Sequence, residues 1–299
     1  MYRNRVTQMV KYRLIIQAAF TVLANGYVKG FVRGRIFQGA SKSFCVPGLN
    51  CYSCPGSLGS CPIGALQAVL NSRQFSFSCY IFGFLMAVGI LVGRLICGFL
   101  CPFGLVQDLL YKIPYGKKRK NIPGHNILKY LKYVVLAIFV IILPMTVANQ
   151  VGMGMPWFCK WICPSGTLFG GIPLVAMNPA LQKAVNFLFT WKVLVLLIVL
   201  ILSMKIYRPF CKYLCPLGAI YSLFNPISIL RLKIDPQKCI KCGACQKTCK
   251  IDIRTFEQPN SPECIRCGDC IIACPCNAIQ ITSTHNKTVN LSKTKRTQH

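Results

Sequence analysis

Residues 207–221 read Y-R-P-F-C-K-Y-L-C-P-L-G-A-I-Y, and this stretch sets the pattern for the rest of the chain. Cys211 and Cys215 enclose three residues, a proline follows the second thiol, and a glycine stands two positions beyond that proline. The same frame returns as Cys97-Gly-Phe-Leu-Cys101-Pro-Phe-Gly and as Cys159-Lys-Trp-Ile-Cys163-Pro-Ser-Gly. A looser copy, Cys61-Pro-Ile-Gly, has Cys45, Cys51 and Cys54 upstream of it. Each copy borders an apolar run, so the repeated unit is a thiol pair at the end of an apolar segment. A helix places residues i and i+4 on one face, and the proline suits a helix start. Both thiols of a pair can therefore meet one metal centre, each pair supplying half of a four-thiolate site. Buried structural cysteine is the ordinary fate of a lone thiol, and three repeats of one frame argue against it.

Composition points to a membrane. Of 299 residues, 54 % are hydrophobic and only 14 % charged, against roughly 25 % charged in soluble domains. Mean hydropathy is +0.48. The formal charge of +29 rests on 35 Lys and Arg against six acids, and only Asp108 precedes residue 231. Cluster-bound thiolates would lower that charge. Basic residues flank the apolar runs, which suits membrane loops rather than nucleic-acid binding. Twenty cysteines in a chain with membrane runs read as metal ligands, not as the disulphide scaffold of a short secreted domain. No cleavable signal peptide is expected, because the first apolar run lacks a small-residue cleavage motif.

Four spans are expected, at 14–28, 75–100, 127–148 and 191–206, with both termini inside; the first is the weakest. Residues 157–177, broken by Pro164, Gly170-Gly171 and Pro173, read as interfacial or re-entrant. The charges of the first outer loop, Lys29, Arg33, Arg35, Lys42 and Arg73, fit that orientation only in part. The membrane part is thus read as an all-α bundle of about four spans (1–230), followed by a cysteine-dense domain (231–281). A polar, basic tail (282–299) is expected to be disordered.

That domain carries the clearest spacing. Cys239, Cys242, Cys245 and Cys249 form one C-x2-C-x2-C-x3-C run, and Cys264, Cys267, Cys270 and Cys274 form a second, closed by Pro275. In this two-cluster spacing the fourth cysteine of each run ligates the other cluster. One 4Fe–4S cube is therefore assigned Cys239, Cys242, Cys245 and Cys274, the other Cys264, Cys267, Cys270 and Cys249. Zinc sites lack the doubled triplet. Lys250 stands where proline is usual and is expected to loosen its loop; Cys276 is spare. The domain resembles a bacterial-type ferredoxin throughout, which implies a tight α+β fold of short strands and two helices. The fold class expected is therefore a membrane all-α bundle of about four spans with a C-terminal α+β ferredoxin domain.

In the membrane part, Arg94 and Arg208 each lie three residues before a first cysteine, giving R-x-x-C-x3-C-P-x-G twice, whereas Pro156 holds that place before Cys159. The four-span topology puts Cys97, Cys101, Cys211 and Cys215 at the inner face as one cluster. An outer cluster takes Cys159 and Cys163 with two of Cys45, Cys51, Cys54 and Cys61, disulphides in that loop being the alternative. Arg94 and Arg208 are read as cofactor-binding residues that offset cluster charge, with a simple interface role as the other choice. Cys79, alone in a span, is read as packing.

These motifs resemble the NapH/NosR-type polytopic ferredoxins over roughly residues 75–281. The resemblance implies a cell-membrane, multi-pass electron relay with a cytoplasmic ferredoxin domain, two clusters there and one or two in the membrane. The cysteine-rich first loop and the Cys159 pair depart from simpler members and favour a relay to the outer face over a purely quinol-oxidising role. An acidic ferredoxin, flavodoxin or reductase is expected as donor, docking on the basic residues of the ferredoxin domain. An external flavoprotein or a membrane quinone is expected as acceptor, any flavin lying on that partner. Intramembrane bis-histidine haem is set aside, since His125, His285 and His299 all lie outside the confident spans.

Overall fold

A computed structural model describes residues 2–71, 79–147, 155–183 and 185–283. The expected disordered tail falls almost wholly outside them. Two described helices are long and apolar enough to cross a bilayer, His125–Thr146 and Phe187–Lys205. At 1.5 Å per residue they reach about 33 and 28 Å, close to the roughly 30 Å of a hydrocarbon core. Phe187–Lys205 is apolar all round yet buries only Leu196, Val199 and Ser203. Leu194, Leu197, Ile198 and Ile201 point outward, as they would toward lipid.

The other two expected spans are shorter. The 14–28 run yields the twelve-residue helix Arg13–Ala24, with Arg13 and Gln17 turned inward. The 75–100 run yields Cys79–Val92, fourteen residues, and its first part falls outside the described residues. Gly93, at φ +55°, ends that helix in the left-handed region that favours glycine. Cys79 is exposed, not packed in the core. Residues 157–177 run as Trp157–Trp161 followed by the apolar helix Pro164–Met177.

The thiol frame has one local structure. A short helix carries the first cysteine: Leu95–Phe99, Trp157–Trp161 and Pro209–Tyr213. The second cysteine is extended, at φ/ψ of −80/117°, −66/105° and −73/113° for Cys101, Cys163 and Cys215. Proline then opens the next helix. Proline fixes its own φ and forces the preceding residue out of the helical region, so each second thiol sits at a helix entrance.

Strands Leu230–Ile234 and Ile279–Ser283 pair antiparallel with Leu232 opposite Ile281. Helices Ala244–Thr248 and Asp269–Ala273 follow the left-handed Gly243 and Gly268. Leu232, Cys245, Cys270, Ile271 and Ile279 make its small core, too small to hold a fold of this size without covalent or metal staples. The domain is bolted to the helices. Arg266 donates to Val92 O (3.0 Å), Asn225 O (2.8 Å) and Ser228 Oγ (2.6 Å). Asn225 Nδ2 donates to Ser261 O and Cys264 O, both at 2.8 Å, and Lys212 Nζ to Ile251 O at 3.2 Å. Lys250 pairs with Asp269 at 2.9 Å, so it ties its loop down where loosening was expected.

Candidate metal centres

Sixteen of the candidate cysteines gather in four quartets. Cys239, Cys242, Cys245 and Cys274 line one cavity, with Cys276 beside them. In the second quartet Cys264 feels the charge of Cys249, and Cys270 feels Cys267, Cys264 and Cys249. Both groupings match the crossed ligand sets read from the spacing. Cys97, Cys101, Cys211 and Cys215 lie within electrostatic reach of one another and form a central site. Cys51, Cys61, Cys159 and Cys163 are likewise mutually coupled, and they line a cavity of about 780 Å³. Of the four loop cysteines, Cys51 and Cys61 line it. Cys45 and Cys54 are buried but do not line that cavity. All the cysteines stand as free thiols.

The donor sets fit a 4Fe–4S cube. They contain cysteine only, the thiolate set such clusters take. Among the described residues no three His, Cys, Asp or Glu side chains converge tightly enough for a single metal ion; thiols around a cube each bind a different iron. Backbone N–H groups also face the sulphurs. Gly166 N donates to Cys163 Sγ (3.4 Å) and Gly218 N to Cys215 Sγ (3.3 Å), and Gly64 and Gly104 do the same for Cys61 and Cys101. This explains the C-P-x-G frame: the second cysteine caps a helix whose third N–H is free to meet a thiolate. Burial, helped by the charge of Cys101, pushes the Cys211 thiol up to about 12, so a thiolate there at neutral pH needs a bound cation.

The arginines are arranged reciprocally around the central site. Arg94 Nη2 donates to Cys211 O at 3.2 Å, and Arg208 Nη1 donates to Cys97 O. Each thus grips the first cysteine of the other pair. A Cβ on Gly218 would stand 3.5 Å from Arg94 Nη2, and one on Gly104 3.3 Å from Arg208 Cζ, so the frame's glycine leaves room for the opposite guanidinium. Neither arginine stands as a bare charge. Arg208 makes a bidentate pair with Asp108 (2.7 and 2.6 Å), which Arg13 joins at 3.1 Å. Arg94 meets Glu263 at 3.2 Å, shared with Lys132 at 2.5 Å. Burial would raise both carboxylates, and the guanidinium groups more than reverse that, holding Asp108 and Glu263 below the usual carboxylate range. Asp108 and Glu263 were missed as site residues. The signal was there for Asp108, since a lone carboxylate in an apolar region must find a cation.

Two glutamines were also missed. Gln67 and Gln107, both fully buried, donate to Cys159 Sγ (3.4 Å) and Cys211 Sγ (3.1 Å).

The four sites follow one another in contact. Cys245 in the first ferredoxin quartet is felt by Cys270 in the second. A Cβ on Gly98 would meet Ile265 O at 2.7 Å and Cys267 Cα at 4.0 Å, so the second quartet's loop lies on the central site. A Cβ on Gly48 would lie 3.1 Å from Cys101 Cα, and Leu49 N donates to the Cys101 thiol. Cys51, two residues on, belongs to the loop site, within about 7 Å of Leu49 by chain reach. Tyr221, buried between them, donates to Pro47 O at 3.0 Å and feels Cys97, Cys61, Cys101 and Cys45. The gap of about 30 Å that a site at each membrane face would leave does not arise, because the loop folds down onto Cys101.

Four all-cysteine quartets, on helices joined to a two-cluster fold, define an iron–sulphur electron-transfer protein of ferredoxin type. Comparison with known proteins agrees. The family described as a 4Fe-4S binding domain matches three times, at residues 75–123, 131–174 and 187–235, one copy per C-x3-C-P pair. The 4Fe-4S dicluster domain matches residues 231–275. The loop carrying Cys51, Cys61 and Gln67 lies outside both. The chain is 29 % identical over 204 residues to the uncharacterized protein MJ0749 of Methanocaldococcus jannaschii, covering 66 % of this chain and 68 % of that one. It is 24 % identical to the putative electron transport protein YccM of Escherichia coli (64 % and 51 % covered). It is 26 % identical to the ferredoxin-type protein NapH of Haemophilus influenzae (54 % and 48 %). No solved structure matches the chain. The chain belongs to the NapH-type family of 4Fe–4S ferredoxin-type proteins.

Proposed function

We propose that this protein is a multi-pass membrane relay that carries electrons from a cytoplasmic donor to an acceptor at the outer face. A 4Fe–4S cube takes up and releases one electron at a time. The quartets are the stations: the Cys239 quartet receives, the Cys264 quartet and the central site pass on, and the loop site delivers. The observation that carries this reading is the contact of Gly48 and Leu49 with Cys101, which joins the membrane part's two sites on one loop. The donor end suits an acidic ferredoxin, flavodoxin or reductase. Cys242 is exposed there, Ile240 is 68 % exposed, and Lys238, Lys241 and Lys247 stand nearby in sequence to steer an acidic partner. Four spans need Arg13–Ala24 and Cys79–Val92 to cross with their flanking residues; the two long helices are the firm anchors.

A quinone-linked oxidoreductase is the second reading, favoured by the loop-site cavity. Its volume is within the range of small-molecule pockets. Tyr52, Tyr80 and Lys192 line it, as does the buried Asn50, whose Oδ1 has no hydrogen-bond partner among the described residues. An external flavoprotein would instead dock over its mouth.

Iron and acid-labile sulphide in anaerobically purified protein test the count. The relay requires about sixteen irons per chain, four for each cube. About eight would confine clusters to the ferredoxin domain and overturn the relay. Reduction of a soluble quinone by the reduced protein would select the second reading.

A further inference from the structure

The central and loop sites share one device that their cysteines alone do not reveal. Gln107 follows Cys101 by six residues, and Gln67 follows Cys61 by six. Each lies on the helix opened by the frame's proline, Pro102–Lys112 or Pro62–Asn71. Gln107 Oε1 accepts from Phe210 N at 3.2 Å, while its Nε2 donates to Cys211 Sγ at 3.1 Å and to Phe103 O at 3.4 Å. Gln67 Oε1 accepts from Phe158 N at 3.1 Å, while its Nε2 donates to Cys159 Sγ at 3.4 Å and to Ile63 O at 3.3 Å. The two sets correspond bond for bond. In each the amide reaches across to the first cysteine of the other thiol pair and to the residue before it.

The orientation of the amide is forced. An N–H of phenylalanine faces one end, and only the carbonyl oxygen can accept it. The NH2 is therefore turned to the sulphur and to the carbonyl four residues back. A buried amide that fills its bonding capacity in this way is expensive to reorient.

We infer that Gln67 and Gln107 are matched positioning residues that set the reduction potentials of the loop and central clusters through one N–H···S bond each. This rests on the four-cluster reading above. A reduced cluster carries one more negative charge, and a donor to its cysteine sulphur stabilises that form, so the bond raises the potential. Matched donors keep two adjacent sites close in potential, which a relay able to run in small steps needs. The arginine–carboxylate pairs cannot supply this matching, since both belong to the central site.

The test is an EPR-monitored redox titration of the full-length protein and its Gln67→Met and Gln107→Met variants. Clusters are assigned by the signals lost in Cys159→Ala and Cys211→Ala. Each methionine variant is expected to keep the parent's iron and to lower the midpoint of its own cluster alone. The ratio of reduced to oxidised cluster at a fixed ambient potential should fall by up to tenfold, or 59 mV for a one-electron couple. Gln67→Glu and Gln107→Glu keep the acceptor for the phenylalanine N–H and guard against simple loss of the clamp. Their midpoints should fall as pH rises, since the ionised carboxylate offers the sulphur no donor. If the parent holds about sixteen irons and neither substitution moves its own cluster's midpoint, the inference fails while the relay stands. If the parent holds about eight, the relay itself has failed. Equal shifts of all four clusters would also overturn the inference.

Discussion

The central and loop sites are two versions of one arrangement. Both take four cysteines, cap the second thiol with the glycine N–H of C-P-x-G, and turn a buried glutamine amide to the first thiol of the second pair. They differ in charge. The central site is held by Arg94 and Arg208, neutralised by the partly buried Glu263 and the buried Asp108, whereas Pro156 stands where the loop site would have its arginine. Lys192 and Lys42 are the cations felt most at Cys51, and Lys192 lines the open cavity. The shared parts are those that hold thiolates; the added parts at the central site are those that fasten one domain to another. Glu263 precedes Cys264, and Asp108 with Arg13 brings the N-terminal helix to the same place. The arginines are therefore as much rivets as electrostatic partners.

Breaking the central site should have the largest effect. Cys211→Ala is expected to remove about four of sixteen irons and stop electron flow from the ferredoxin domain to the loop site, read by iron analysis and stopped-flow reduction. Cys159→Ala should remove as many irons yet leave the other three clusters reducible.

Removing one partner of a buried ion pair strands the other. Asp108→Asn should destabilise the fold by about 3–5 kcal/mol, seen in thermal unfolding in detergent. Lys192→Gln at the loop site should change stability by less than about 1 kcal/mol, because this half-exposed charge has no ion pair among the described residues.

The contact between domains is finer still. Gly98→Ala would bring a Cβ to 2.7 Å from Ile265 O, a backbone atom that cannot swing aside, and should cost about 1–3 kcal/mol. Electron transfer between the Cys264 quartet and the central site should slow, with iron content unchanged.

The smallest effect is one of pH. Glu263 is held below its ordinary value of 4.5, so its ionised pairing with Arg94 and Lys132 stabilises the fold in full above that pH. The contribution is lost as pH falls through the depressed folded value. The difference in thermal midpoint between the parent and Glu263→Gln should be constant from pH 7 to about 5 and shrink below about 4.

Local grouping was legible in the sequence. The thiols that spacing assigns to the ferredoxin and central quartets are the ones the structure brings together, because short loops leave little freedom. What depended on distant contacts was not. Cys61 carries the C-P-x-G frame, but nothing near Cys51 distinguishes it from Cys45 and Cys54; helix Pro164–Met177 brings Cys163 and Gly166 against Cys51. The fall of residues 45–61 onto Cys101 is equally invisible in a hydropathy pattern, so a topology of two faces suggested too wide a gap. Span counting failed to register Gly93, which ends a helix inside an apolar run that reads as continuous. Gln67 and Gln107 looked like ordinary polar residues until the phenylalanine N–H groups across from them were placed.

The central claim is that the loop site lies against the central site. Magnetic coupling between their clusters tests it most directly, through the EPR spectrum of the fully reduced protein before and after Cys159→Ala. The account requires the central cluster's signal to be broadened by a neighbour in the parent and to narrow and relax more slowly in the variant. A central signal identical in both proteins, each with its expected iron content, would contradict it.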